Sequence, residues 1–185
     1  MQLIDINDPE EIQNTEFLIT FPKSGTNLTI TSLQLFTKKP VRRPEQPMRD
    51  DLLGLNRLHL DLDPSKKILY RRHVIDPYFY KIDPTKNKLL MVLRNYKECI
   101  NSLQHYSPEE FLEAILNEKS IKKKATFSHY INNLSFFENW SDDSTKLLIY
   151  YEDFILDPKT TIIQLLDFFD ETVENFDEIW ENYEC

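Results

Sequence analysis

Four stretches of this chain, near residues 17–21, 67–71, 88–94 and 146–151, read as continuous apolar runs rather than as polar–apolar alternation. Strands with this pattern are buried on both faces, which is the condition of a parallel sheet covered by helices. Helix-like segments separate the runs, in the order strand, helix, long Pro-punctuated loop, strand, loop, strand, helix, two further helices, strand and two helices. The expected fold is therefore α/β with three layers: a central parallel sheet of about four to five strands flanked by helices. A chain of 185 residues with 41% apolar and 12% aromatic side chains can bury one sizeable core, so residues 1–185 are expected to form a single domain. In such a sheet, ligands gather at the carboxyl ends of the strands.

The residues at those ends are chemically distinctive. The first run continues as Phe21-Pro22-Lys23-Ser24-Gly25-Thr26-Asn27-Leu28 and enters a helix. Gly25 permits close backbone approach, and the helix start aims N–H groups at an anion. Lys23 adds a point charge, while Ser24, Thr26 and Asn27 add side-chain hydrogen bonds. A phosphate or a sulfate fits such a loop. The Gly-x-x-x-x-Gly-Lys-[Ser/Thr] spacing of the nucleoside triphosphate loop is absent, which disfavours an ATPase or phosphoryl-transfer reading, as does the lack of a clear magnesium-binding pair. The third run ends in Arg94, and Ser102 follows eight positions later, about two helical turns into the next segment. An arginine fork suits phosphate because it offers planar, paired donors. The fourth run leads through Tyr150-Tyr151-Glu152-Asp153 to Asp157-Pro158, an N-cap followed by proline at the first helical position. The second run delivers Arg71, Arg72 and His73 to its end.

Together, in this order, these segments resemble the sulfotransferases that use 3′-phosphoadenosine 5′-phosphosulfate (PAPS). The resemblance covers most of residues 16–169. It implies a P-loop-like sulfotransferase topology, with Lys23, Ser24, Gly25, Thr26 and Asn27 around the 5′-phosphosulfate. Arg94 and Ser102 would hold the 3′-phosphate, and Tyr151 would lie near the nucleotide. It further implies transfer of a sulfuryl group by in-line displacement to a hydroxyl or amine of a small-molecule acceptor, leaving 3′-phosphoadenosine 5′-phosphate (PAP). Lys23 would stabilise the charge developing on the bridging oxygen. His73 is the candidate general base, since a neutral imidazole accepts a hydroxyl proton near neutral pH. His59, His105 and His129 are less well placed.

Several positions depart from the family's usual pattern. Leu28 stands where an adenine-stacking Trp is usual, Tyr96 where Pro is frequent, and Arg71-Arg72-His73 replaces a Lys-Thr-His context. No arginine follows Arg94, although a late Arg-Lys-Gly segment that clamps the 3′-phosphate is common in the family. A second reading from a different class is therefore a catalytically inactive nucleotide-binding or protein-interaction module on the same fold.

The remaining sequence is read structurally. A net charge of −9 argues against nonspecific nucleic-acid binding. Lys38-Lys39, Arg42-Arg43 and Lys122-Lys123-Lys124 are read as solvated faces or a substrate rim. No stretch approaches a membrane span or a secretory leader, so a cytoplasmic location without membrane association is expected. Two cysteines, Cys99 and Cys185, offer neither a disulfide framework nor a four-ligand zinc site, and no metal is expected. Ser107-Pro108-Glu109-Glu110 is a helix start, residues 125–140 form an aromatic-rich core helix, and residues 37–66 are the candidate lid over the acceptor.

Overall fold

The computed structural model describes residues 13, 15–42, 62–75, 79, 82–104 and 126–183. The helix start at Ser107, most of the candidate lid, Arg43, His59, His105, Lys122-Lys123-Lys124 and Cys185 lie outside the described residues. Among the described residues there are five strands: β1 (Thr15–Thr20), β2 (Val41–Arg42), β3 (Ile68–Arg72), β4 (Leu89–Leu93) and β5 (Lys146–Tyr150). Six helices accompany them: α1 (Thr26–Thr37), α2 (Tyr96–Gln104), α3 (Phe127–Glu138), α4 (Tyr151–Leu156), α5 (Pro158–Phe168) and α6 (Phe176–Tyr183).

The strands form one parallel sheet in the order β2-β3-β1-β4-β5. From β1 the chain passes outward to β2, returns to β3, and then crosses β1 to build β4 and β5 on the other side. The strand order reverses about β1, so the crevice where ligands bind in open α/β sheets falls at the carboxyl ends of β1 and β4. The four expected runs all appear as strands. The fifth, β2, lies in a segment read as loop, because two residues carry no periodicity of their own and only pairing with β3 makes them a strand.

Alternation along each strand sends side chains to two separate cores. Leu18, Leu69, Leu90, Val92 and Ile149 pack on one face against Ile30, Leu33 and Phe36 of α1, Ile162 and Leu165 of α5, and Trp180 of α6. Phe17, Ile19, Tyr70, Leu89 and Met91 pack on the other face against Phe79, Phe137 and Trp140. Both faces being covered explains why the strands lack polar alternation, and each fully buried Leu, Ile or Phe contributes about 1.5–3 kcal/mol. Asp157 caps α5 as expected, accepting a hydrogen bond from the Thr160 N–H with Pro158 in the first turn. Leu28 packs against the first core.

The expectation for Lys38-Lys39 as a solvated face or rim is corrected at Lys39. Its side chain is 2% exposed and its Nζ lies 2.9 Å from Glu16 and 2.7 Å from Glu171. Lys66 reaches the same Glu171. Glu16 is the second residue of β1, so this ionic cluster sits at the amino end of the sheet, the pole opposite the crevice. The chain turns after α1 with Lys38 in a left-handed conformation, φ 59°, and this turn carries Lys39 inward beneath the sheet. Cys99, in α2, is a buried free thiol whose pKa burial pushes up to about 11, so it does not act as a nucleophile near neutral pH. Among the described residues, no helix is long and apolar enough to cross a membrane, and no group of three or more His, Cys, Asp or Glu could hold a metal ion.

Candidate functional site

The loop after β1 is built by two left-handed residues, Lys23 (φ 69°) and Gly25 (φ 95°), with a turn closed by the Ser24 N–H on the Phe21 carbonyl at 3.0 Å. It delivers the chain into α1 without any side-chain cap at Gly25 and without an acidic residue in the first turn. The first N–H groups of α1 and its positive dipole end are thus available to an anion. The Ser24 hydroxyl is fully buried and has no hydrogen-bond partner among the described residues. Such an orphan is costly unless a ligand satisfies it, and a phosphate or sulfate oxygen is chemically suited to do so.

Arg94 closes the site from β4. Its Nη1 donates to the Lys23 carbonyl at 3.3 Å, and its guanidinium lies 4.4 Å from the centre of the Tyr151 ring. The Nε–H is buried and has no hydrogen-bond partner among the described residues, while Glu98 stands at a loose 3.9 Å. Tyr151 in turn packs on the loop: a Cβ added to Gly25 would fall 2.7 Å from its Cδ2. Loop, arginine and tyrosine form one stack in which glycine is required twice, by its backbone angle and by the ring above it. Tyr151 was expected at a strand end, whereas β5 stops at Tyr150 and Tyr151 opens α4. The short helix forms because the Asp153 carboxylate accepts from the Tyr150 N–H, which turns the chain as soon as the strand ends.

His73 follows β3 and turns back over the end of β1. Its Nδ1 lies 3.1 Å from the Thr20 carbonyl oxygen and 3.1 Å from Thr20 Oγ1, and its Nε2 meets Arg71 Nη2. The Thr20 carbonyl only accepts and so favours the proton on Nδ1, while Arg71 Nη2, which only donates, lies against both ring nitrogens, 3.3 Å from Nδ1 and closer to Nε2.

Other expected residues are placed differently. Thr26 donates its hydroxyl proton to Thr20 Oγ1 at 2.9 Å rather than into the loop. Asn27 is exposed, and Ser102 is half-buried in the second turn of α2; neither side chain makes a hydrogen bond among the described residues, and Ser102 is not brought to Arg94 by any contact described. The sequence reading also missed contributors on α3, which it took as core alone. Tyr130 donates its hydroxyl to the Arg94 carbonyl at 3.1 Å. Asn133, fully buried, donates to the His73 carbonyl at 2.9 Å and accepts from the Ile75 N–H at 3.3 Å. A buried asparagine in an aromatic helix was the available signal, since such a residue needs partners.

The geometry can be set beside known proteins. Mouse sulfotransferase SULT7A1 complexed with PAP superposes with a TM-score of 0.56 at 20% identity, covering 94% of this chain and 67% of its own. Retinol dehydratase in complex with androsterone and PAP gives 0.55 at 16% identity, covering 91% and 64%. A sulfotransferase domain from the curacin biosynthetic pathway gives 0.55 at 14%, covering 87% and 75%. The chain thus spans about two thirds of the length of the first two, and at these identities the likeness is one of fold. No curated protein matches the sequence. The family model of the sulfotransferase domain matches residues 14–184, nearly the whole chain and every element that builds the crevice. By that match and by its fold, the chain belongs to the sulfotransferase domain family.

Proposed function

We propose that this chain is a PAPS-dependent sulfotransferase acting on a hydroxyl or amine of a small-molecule acceptor. The observation that carries the reading is the pairing of a buried, unpartnered Ser24 hydroxyl with the Arg94 Nε–H, both gathered with Gly25 and Tyr151 at the carboxyl ends of β1 and β4. Both are donors, so a ligand that carries anionic oxygens at more than one point suits the crevice. Structures of similar proteins hold PAP, and one also holds androsterone, which supports a nucleotide donor and a small organic acceptor.

When bound, PAPS supplies the sulfuryl group and a phosphate leaving group. Ser24 and the first N–H groups of α1 hold its 5′ end, and Lys23 places positive charge where negative charge develops. Arg94, propped by Tyr151 and Tyr130, holds the 3′-phosphate. His73 accepts the acceptor's proton at Nε2 once the acceptor's hydroxyl or amine takes the place of the Arg71 Nη2 that faces that nitrogen. Ser102, in the second turn of α2, is the second candidate for the same phosphate.

Calorimetric titration with PAP tests the donor site. PAP is expected to bind, AMP and ATP to bind far more weakly, and Arg94→Ala to lose about 100-fold in affinity, the scale for removing one partner of a buried charge pair. Equal binding of PAP and AMP would overturn the assignment of the 3′-phosphate. His73→Ala separates chemistry from binding: sulfuryl transfer from PAPS to an acceptor should fall by about 100- to 10,000-fold, the range for a general base, while PAP affinity stays within about twofold of wild type. Undiminished transfer would remove His73 from the reaction, and PAP binding without any transfer would favour the inactive nucleotide-binding module.

A further inference from the structure

One residue that neither the loop nor the base accounts for lies between them. Thr20, the last residue of β1, is fully buried in a strand whose other side chains are mostly apolar. Its Oγ1 accepts from the Thr26 hydroxyl at 2.9 Å and lies 3.1 Å from His73 Nδ1. Because Nδ1 is also 3.1 Å from the Thr20 carbonyl, its N–H is shared between two acceptors of the same residue. With Nδ1 as the donor, the Thr20 oxygen accepts from the first residue of α1 and from the imidazole.

The geometry points to Thr20 as a positioning residue that ties the orientation of His73 to the state of the anion loop; this rests on the reading of the crevice given under Proposed function. Thr26 has a single hydroxyl proton. In the free protein it is donated to Thr20, and a ligand oxygen at the start of α1 competes for it. Loss of that donor leaves the Thr20 oxygen with one partner, His73, and so strengthens its acceptance from Nδ1–H. Occupancy of the loop is thereby felt at the ring, which holds Nε2 as the lone-pair nitrogen while Arg71 donates to it from the same strand end. Val at position 20 has nearly the same shape and the same backbone carbonyl but no bridging oxygen.

Two measurements test the inference. In the free wild-type protein, long-range 1H–15N correlation spectra of the histidine rings should show His73 with Nδ1 protonated and Nε2 bare; the opposite tautomer would overturn the proposal whether or not PAP binds. Saturation with PAP should then move the His73 ring nitrogens in wild type and in Thr20→Ser, and move them severalfold less in Thr20→Val. In steady-state assays Thr20→Val should lower kcat by about 10- to 100-fold, as a misoriented catalytic group does, with the KM for PAPS changed little. A Thr20→Val variant that shows the wild-type shifts on PAP addition would remove Thr20 as the link and leave the donor site intact. Failure of PAP to bind wild type, seen by calorimetry, would instead overturn the donor-site reading and this coupling with it.

Discussion

Gly25→Ala should abolish measurable PAP binding while the protein still unfolds cooperatively. Gly25 has φ 95°, a left-handed conformation in which a non-glycine residue costs about 1–2 kcal/mol. The added methyl would also stand 2.7 Å from Cδ2 of Tyr151 and 3.4 Å from its Cε2. A flexible side-chain end could step aside, but this ring is held between the loop and the Arg94 guanidinium at 4.4 Å. Moving the ring therefore moves the arginine, and with it the hydrogen bond to the Lys23 carbonyl. The expected loss in affinity is at least about 100-fold, equivalent to about 2.8 kcal/mol. Calorimetry with PAP, alongside a thermal melt, checks both halves; wild-type affinity in the variant would show that the stack of loop, tyrosine and arginine does not shape the donor site. Tyr151→Leu combined with Gly25→Ala should recover part of the loss, because the clash is relieved.

The second large effect concerns stability. Lys39→Met should lower it by about 3–5 kcal/mol, the cost of removing one member of a buried ionic set and leaving the others uncompensated. For a chain of this size that corresponds to a Tm lower by about 10 °C. Lys39 serves two carboxylates at once, Glu16 at 2.9 Å and Glu171 at 2.7 Å, and its ammonium also lies 5.4 Å from the Phe169 ring centre. Glu16→Gln should cost much less, since burial already raises the Glu16 pKa against the pull of Lys39 and so penalises its charged form. Differential scanning calorimetry of both variants decides the matter: equal losses would mean that Glu16 is as dependent on its charge as Lys39 is.

The pH dependence of the same cluster has a definite sign. Burial pushes the Glu171 carboxyl upward, but hydrogen bonds from Lys39 and Lys66 outweigh it and hold the pKa below the ordinary 4.5. Its contribution is fully present above that value and is lost as the pH falls through the folded-state pKa. Glu16, with its pKa raised, takes up a proton in the native chain before it does so in the unfolded chain, and therefore opposes acid unfolding. Glu171→Gln should accordingly flatten the acid limb of a stability profile, and Glu16→Gln should steepen it.

The strands and the turn after β1 were legible in the residues because their signals are local. An apolar run such as Leu89–Leu93 has no solvated face in any register, and Pro22-Lys23-Ser24-Gly25 carries its turn chemistry within four positions. The helix start at Asp157-Pro158 was legible for the same reason. The two-residue β2, the buried Lys39 and the α3 residues Tyr130 and Asn133 were not, because each is defined by a partner far away in the chain.

The sequence by itself determined the layered α/β architecture, the family, and the carboxyl ends of β1, β3 and β4 as the places where Lys23, His73 and Arg94 belong. Local periodicity and turn residues suffice for that, since they act over neighbouring positions. The tertiary structure alone decided which groups meet. It set Tyr151 against Gly25 and Arg94, turned the Thr26 hydroxyl to Thr20 rather than to the loop, laid His73 Nδ1 on the Thr20 carbonyl, and buried Lys39 at the opposite pole. Those choices depend on hydrogen bonds and ion pairs whose partners are brought within reach only when the sheet assembles, and no pattern along the chain encodes them.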